Sequence, residues 1–243
     1  MNKFKKSIFP LVGLSLVLFL FSLAAAQQQV KRSQFDVSNY VMDVQLVPNE
    51  NKINATADVS FTTLEDARTV TFELNGSLKV ESISRQNSVA SANLPTKSKT
   101  PTTAAAPNQI TFIQDQVGVS DIGPSVKIDL GETVTKGTAV TLRFKYSGVL
   151  ISPSGGPLLT KRLAYIGPNN GYLMYAARWF PFHEYAADQA TSDITISLPS
   201  GYSLVGYSDT PVSQTGGKYR FVRTVSSLVG NFTYGKYVNK NLK

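Results

Sequence analysis

An antiparallel β-sandwich of about twelve strands is the fold this sequence predicts, and three observations carry the prediction. Apolar residues recur at every second position in segment after segment, which sets one face on a core and the other in water. Gly, Pro, Asn and Asp interrupt those segments where the chain has to reverse. No amphipathic stretch of helical period is long enough to compete. The class is all-β.

The elements follow in chain order. Tyr40, Met42, Val44 and Leu46 alternate with polar or smaller neighbours, and Pro48-Asn49-Glu50-Asn51 turns the chain into Ile53, Ala55, Ala57, Val59 and Phe61. Val70, Phe72 and Leu74 form the next segment, which stops at Asn75-Gly76. Ser88 to Pro107 breaks the pattern. It is rich in Ser, Thr, Ala and Pro, cannot bury enough apolar area to offset its ordering entropy, and is expected to be a surface loop or hairpin insertion. Alternation resumes with Ile110 and Phe112, with Val126, Ile128 and Leu130, and with Val140, Leu142, Phe144 and Tyr146. Gly131 and Ser147-Gly148 punctuate these runs, and Ile151 to Pro157, with Gly155-Gly156, is expected to be a second flexible connection. Ile194, Ile196 and Leu198 precede the Gly216-Gly217 turn and Tyr219 and Phe221 follow it; Tyr219 to Val238 is expected to be a hairpin or strand pair. Residues 27–243 thus form one domain without internal repeats.

The first 26 residues have the pattern of a signal peptide. Lys3, Lys5 and Lys6 precede an apolar run from Ile8 to Leu23, and Ala24-Ala25-Ala26 supplies a small-residue cleavage site. The run is shorter than the ~20 residues that span a bilayer comfortably, so a membrane partner is expected only if it stays uncleaved. Export to the periplasm or beyond is the expected location. The chain has no Cys, so disulfides are excluded and stability rests on packing. A chain of this length can bury roughly 70% of its unfolded surface, enough for an unstapled core. The formal net charge of +8 includes three lysines of the signal segment. The remaining basic residues form no patch interleaved with aromatics, so nucleic acid is not an expected partner.

His183 is the only histidine, in Arg178-Trp179-Phe180-Pro181-Phe182-His183-Glu184-Tyr185-Ala186-Ala187. A zinc peptidase needs two imidazoles one helical turn apart, a third ligand and a carboxylate for the water proton. His183-Glu184 begins that pattern, but Ala187 stands where the second imidazole belongs. No Gly-x-Ser-x-Gly elbow is present either. This chain is expected to hold no catalytic residue, no metal site and no cofactor.

Four segments in order nevertheless resemble the aminopeptidase N family of gluzincin zinc metallopeptidases. Tyr40-Val41-Met42-Asp43-Val44-Gln45-Leu46 followed by Ile53-Asn54-Ala55-Thr56-Ala57-Asp58-Val59-Ser60-Phe61 resembles its first hairpin, with Ala55 in place of the usual Gly. Thr141-Leu142-Arg143-Phe144-Lys145-Tyr146-Ser147-Gly148 is similar to its "L-x-I-x-Y-x-G" strand. Ala177-Arg178-Trp179-Phe180-Pro181 resembles its "A-R-x-x-F-P" segment, and Ser192 to Pro199 with Gly201-Tyr202 follows as in the family. The resemblance runs from Phe35 to Val238 and implies the family's saddle-like N-terminal β-sandwich, which packs on a thermolysin-like domain and closes one side of its active-site cavity. That catalytic domain, with the zinc, is expected beyond this sequence, on the same parent chain or a separate one. Asn169 to Tyr175, where the family presents a Gln or Glu to the substrate amine, contains neither, and His183-Glu184-Tyr185 replaces its D-E-P.

Tyr172, Tyr175, Arg178, Trp179 and Phe180 are the domain-interface or ligand-face candidates, since Trp and Arg anchor interfaces. The structural reading of the same residues packs Trp179 and Phe180 at the sandwich edge and pairs Arg178 with a carboxylate such as Glu184 or Asp188. Expected partners are the zinc-peptidase catalytic domain and, through the aromatic surface, a peptide. The alternative is a free-standing exported binding module that has kept the sandwich and lost the enzyme.

Overall fold

The computed structural model describes residues 34–86, 110–115, 125–152, 160–183 and 189–237. The signal segment, the Ser88 to Pro107 insertion and residues 153–157 of the second connection lie outside the described residues.

Fourteen strands are described, against about twelve expected, with no α-helix among the described residues. β1 (Phe35–Val47) and β2 (Lys52–Thr63) pair as the expected hairpin, from Val47 opposite Lys52 to Phe35 opposite Thr63. A 3-10 turn at Pro48–Glu50 joins them, and Asn51 closes it with φ 53°, the left-handed conformation that Asn tolerates better than most side chains. β3 (Ala67–Glu73), β5 (Thr111–Gln114) and β6 (Ser125–Val134) make a three-stranded sheet in the order β3-β6-β5. β4 (Lys79–Gln86) and β7 (Ala139–Val149) join the largest sheet together with β10 (Ala190–Ser197), β12 (Ser213–Thr215) and β13 (Lys218–Ser227). Its order is β12-β13-β10-β1-β2-β7-β4. β8 (Ala164–Ile166), β9 (Asn170–Leu173), β11 (Ser203–Gly206) and β14 (Phe232–Gly235) form a third sheet, β11-β14-β9-β8.

The period-two reading is visible as burial. Every second residue of β2 is buried from Ile53 to Thr63, and β10 shows the same alternation. One continuous core draws on all three sheets. Phe72 of the three-stranded sheet packs 5.3 Å from Phe144 of the large one, and Phe232 of the four-stranded sheet lies 5.0 Å from Phe221 of β13. Sheet packs on sheet through side chains, so the architecture is sandwich-like and all-β.

Two expectations change. β1 and β10 run parallel, Met42 opposite Ile194, in an otherwise antiparallel set of strand pairs. The long intervening chain supplies the crossover that parallel neighbours require. Tyr219 to Val238 is not a hairpin: β13 pairs with β10 and β12, whereas β14 crosses to β11 and β9. The chain changes sheets at Leu228 to Asn231, and Gly230, with φ 94°, takes the bend beneath the Phe180 ring where a side chain would collide.

Candidate functional site

The candidate segment begins in β9. Tyr172 is half-buried on that short strand, opposite Thr233 and Tyr165, and its hydroxyl donates to the Arg162 carbonyl at 3.1 Å. A 3-10 turn at Tyr175–Ala177 follows. The Tyr175 N–H donates to Asn231 Oδ1 at 3.1 Å, and its ring lies parallel to Phe182 at 6.2 Å.

Arg178 stands next with φ 51°, a left-handed conformation that costs a branched-chain or long residue on the order of 1–3 kcal/mol unless its surroundings impose it. Here they do. The Arg178 N–H donates to Tyr175 O at 3.0 Å, its carbonyl accepts from the Asn75 N–H at 2.8 Å, and Nη1 donates to Ala176 O at 3.1 Å. Nε donates to the Glu73 carboxylate at the end of β3, and the guanidinium lies 5.4 Å over the Phe182 ring. The carboxylate found on Arg178 among the described residues is therefore Glu73, 105 positions away in sequence. Glu184 and Asp188, proposed from proximity in sequence, lie outside the described residues.

Glu73 also exchanges both backbone hydrogen bonds with Phe182, at 2.7 and 2.8 Å. Two residues on, the buried Asn75 side chain donates to Ala177 O at 3.1 Å and Ile151 O at 3.0 Å, while its Oδ1 accepts from Ser77 N and Oγ. Residues 177–182 are thus clipped to the exit of β3 at two points. In sequence Asn75-Gly76 reads as a turn; the Asn-x-Ser spacing, which lets one side chain bond its own backbone, is the available signal for its further role. Nothing local in the sequence pointed to Glu73.

Trp179 and Phe180 have no exposed surface. Trp179 Nε1 donates to Gly230 O at 2.9 Å, its ring meets Phe180 at 4.8 Å and Phe232 at 6.1 Å, and Phe180 meets Tyr40 of β1 edge-on at 5.3 Å. The five candidates are therefore brought together along one segment, but only the half-buried Tyr172 and Tyr175 retain appreciable surface. His183 stacks on Phe35 at 3.8 Å beside Phe72. Among the described residues no three His, Cys, Asp or Glu side chains gather as metal ligands, so these residues do not fit the zinc that a peptidase would hold.

Two concavities lie elsewhere. A shallow polar groove of about 700 Å³ crosses the outer face of β1, β2 and β7 between Asp43, Gln45, Asn54 and Lys145. A smaller cavity of about 230 Å³ lies between β10, β13 and the Leu228 to Phe232 crossover. None of the five candidates lines either one.

No family model matches the sequence, and no curated protein does. Solved structures do match. The M1 zinc metallopeptidase of Deinococcus radiodurans superposes with a TM-score of 0.62 at 14% identity, over 84% of this chain and 43% of that one. A two-domain M1 zinc metallopeptidase bound to L-tryptophan gives the same TM-score, identity and coverage. The yeast LTA4 hydrolase matches with a TM-score of 0.58 at 12% identity, over 88% of this chain and 32% of its own. The chain spans less than half the length of each structure. What it shares with them is the fold, that of the N-terminal domain region of M1 zinc metallopeptidases.

Proposed function

We propose that this chain is the non-catalytic N-terminal domain of an exported zinc aminopeptidase-like protein, and that it covers the active-site cleft of a catalytic domain that its own residues do not supply. One observation carries the reading: 84% of the chain takes up a fold that accounts for 43% of a zinc metallopeptidase. The sequence supports the division of labour. With one histidine and no cysteine it cannot provide two imidazoles on one helical face. The segment resembling "A-R-x-x-F-P" then has a scaffolding role, tying β3, β9 and the β14 crossover into one body through Glu73, Asn75 and Gly230.

The coding locus, read past codon 243 in all frames, should encode H-E-x-x-H with a downstream Glu. If no such motif lies on the parent chain or on a neighbouring one, the reading fails. The free-standing module is favoured by one feature, a hydrophobic core that is continuous among the described residues. The purified protein separates the two. A domain that has lost its partner should bind a hydrophobic dye while folded, whereas a free-standing module should not.

A further inference from the structure

The inner face of the large sheet is apolar almost throughout, and it changes character between β10 and β13. Ser192 and Arg223 are cross-strand partners on β10 and β13, two pairs along from Ile194 and Phe221 and on the same face. Ser192 is 3% exposed, in a row that continues as Ile194 and Ile196. Its Oγ is buried without a hydrogen bond among the described residues, and so is Arg223 Nε. Arg223 Nε forms an ion pair with Asp209 Oδ1 at 3.4 Å without hydrogen-bond alignment, and the guanidinium stacks 4.0 Å over the Tyr207 ring. The β10–β13 register slips just beyond this pair, where Ala190 stands opposite Ser227, so three residues of β13 face one of β10. The cavity of about 230 Å³ is lined by Ser192 and Arg223 on the near side of that slip.

Its chemistry is specific. Ile194, Phe221, Val229 and Phe232 give apolar walls, and Ser192 Oγ and Arg223 Nε give two buried donors without an aligned hydrogen bond on the same face. Buried donors are nearly always paired in folded proteins, so two together in a cavity wall call for an acceptor. The acceptor should be neutral, because Asp209 already balances the Arg223 charge. Asp209 Oδ2 is itself held by the backbone N–H groups of Thr224 and Val225 at 2.7 and 3.2 Å. The volume lies below the roughly 300–1,000 Å³ of pockets for drug-sized ligands and suits a single residue. Tyr207, which covers the guanidinium, is 66% exposed, so it can move aside with little loss of buried area.

We infer that this cavity binds one large apolar residue through its carbonyl oxygen, with Ser192 Oγ–H and Arg223 Nε–H as the donors and the Ile194–Phe232 walls around the side chain. The ligand is either a small capped amino acid or a residue of a polypeptide.

The test titrates the ¹⁵N-labelled protein with N-acetyl-phenylalaninamide and follows backbone amides by NMR. Saturable shifts should appear at Phe221, Val229, Gly230 and Asn231. Toluene, which lacks the acceptor, and phenylacetate, which carries a charge, should bind more weakly. Ser192→Ala and Arg223→Met should each weaken the amide by about fivefold, the weight of one ordinary hydrogen bond. Ser192→Ala should at the same time raise the Tm, since it removes an unpaired buried hydroxyl, and this keeps the affinity loss distinct from misfolding. A capped tripeptide with central Phe that binds more tightly than the free amide identifies a polypeptide source; the reverse order identifies a small molecule. Absence of saturable shifts at these residues, or variants that bind the amide as tightly as the wild-type protein does, overturns the assignment.

Discussion

Asn75→Ala is the sharpest test of how the candidate segment is held. The side chain is 1% exposed and makes four hydrogen bonds: to Ala177 O and Ile151 O from Nδ2, and from Ser77 N and Oγ to Oδ1. Truncation leaves the Ala177 carbonyl buried and unpaired, at a cost of about 1–3 kcal/mol. Ile151 and Ser77 are near enough to solvent to rehydrate, so their lost bonds cost about 0.5–1 kcal/mol each. The sum over the four bonds is about 2.5–6 kcal/mol. With a urea m-value near the upper end of the usual range, about 3 kcal/mol per molar, the midpoint should fall by about 1–2 M. Trp179 is the only tryptophan and is fully buried within two residues of the Ala177 carbonyl, so its emission follows the transition directly. Asn54→Ala is the control, because its single bond to Gln45 lies on the exposed face and should cost about 0.5 kcal/mol or less. A midpoint shift for Asn75→Ala no larger than for Asn54→Ala would refute the claim that Asn75 clips the segment to β3.

Trp179 should emit in the blue and resist acrylamide quenching, and Trp179→Ala should cost about 3–5 kcal/mol by far-ultraviolet dichroism; ready quenching would put the ring on an exposed ligand face instead. The Asp209 carboxyl is held below its ordinary range, chiefly by the Thr224 backbone N–H, then by the Val225 N–H and Arg223, against the opposing effect of burial. A folded-state value below the unfolded one of about 3.9 gives stability that is present above about pH 4 and lost as the pH falls through the folded value. Asp209→Asn should therefore lower the Tm at neutral pH, and the gap to wild type should close in strong acid; a gap that does not change with pH contradicts the assignment. Burial pushes the Tyr234 phenol up to about 12, although its hydroxyl is bonded to both Gly167 N and Gly167 O at 2.9 Å. Its neutral form stabilises the fold below about pH 10, and that contribution is lost as the pH rises towards 12. Tyr234→Phe should be less stable than wild type at pH 7 and should lose less on going to high pH; parallel alkaline profiles would show that Tyr234 does not titrate with unfolding.

What could be read from the sequence follows from where the information resides. The alternation of Ile53 to Phe61 is visible because β2 is paired along its length on both sides and has one face in the core. Partner choice is not a local property. Nothing within Tyr219 to Val238 says that β13 and β14 enter different sheets, and nothing within Ser192 to Leu198 says that β10 runs parallel to β1. In β9 the reason for a glycine is equally non-local: the strand needs Gly171 because the Tyr234 ring and the Tyr165 carbonyl occupy the space of a side chain.

The candidate site illustrates a more general confusion. A segment of Tyr, Arg, Trp and Phe has the composition of a binding surface. It is equally what a junction demands where the chain bridges sheets outside a regular ladder: rings to fill irregular space, and donors to satisfy carbonyls that no strand partner reaches. Trp179 on Gly230 O and Arg178 on Ala176 O and Glu73 meet that demand. Composition alone cannot separate the two uses, whereas hydrogen-bond satisfaction can. The named donors of the junction are hydrogen-bonded, whereas Ser192 Oγ and Arg223 Nε are not. In sequence that pair is inconspicuous, a serine near the start of one strand and an arginine in the middle of another. Only the register that sets them opposite each other on an otherwise apolar face turns two ordinary residues into the more promising place for a ligand.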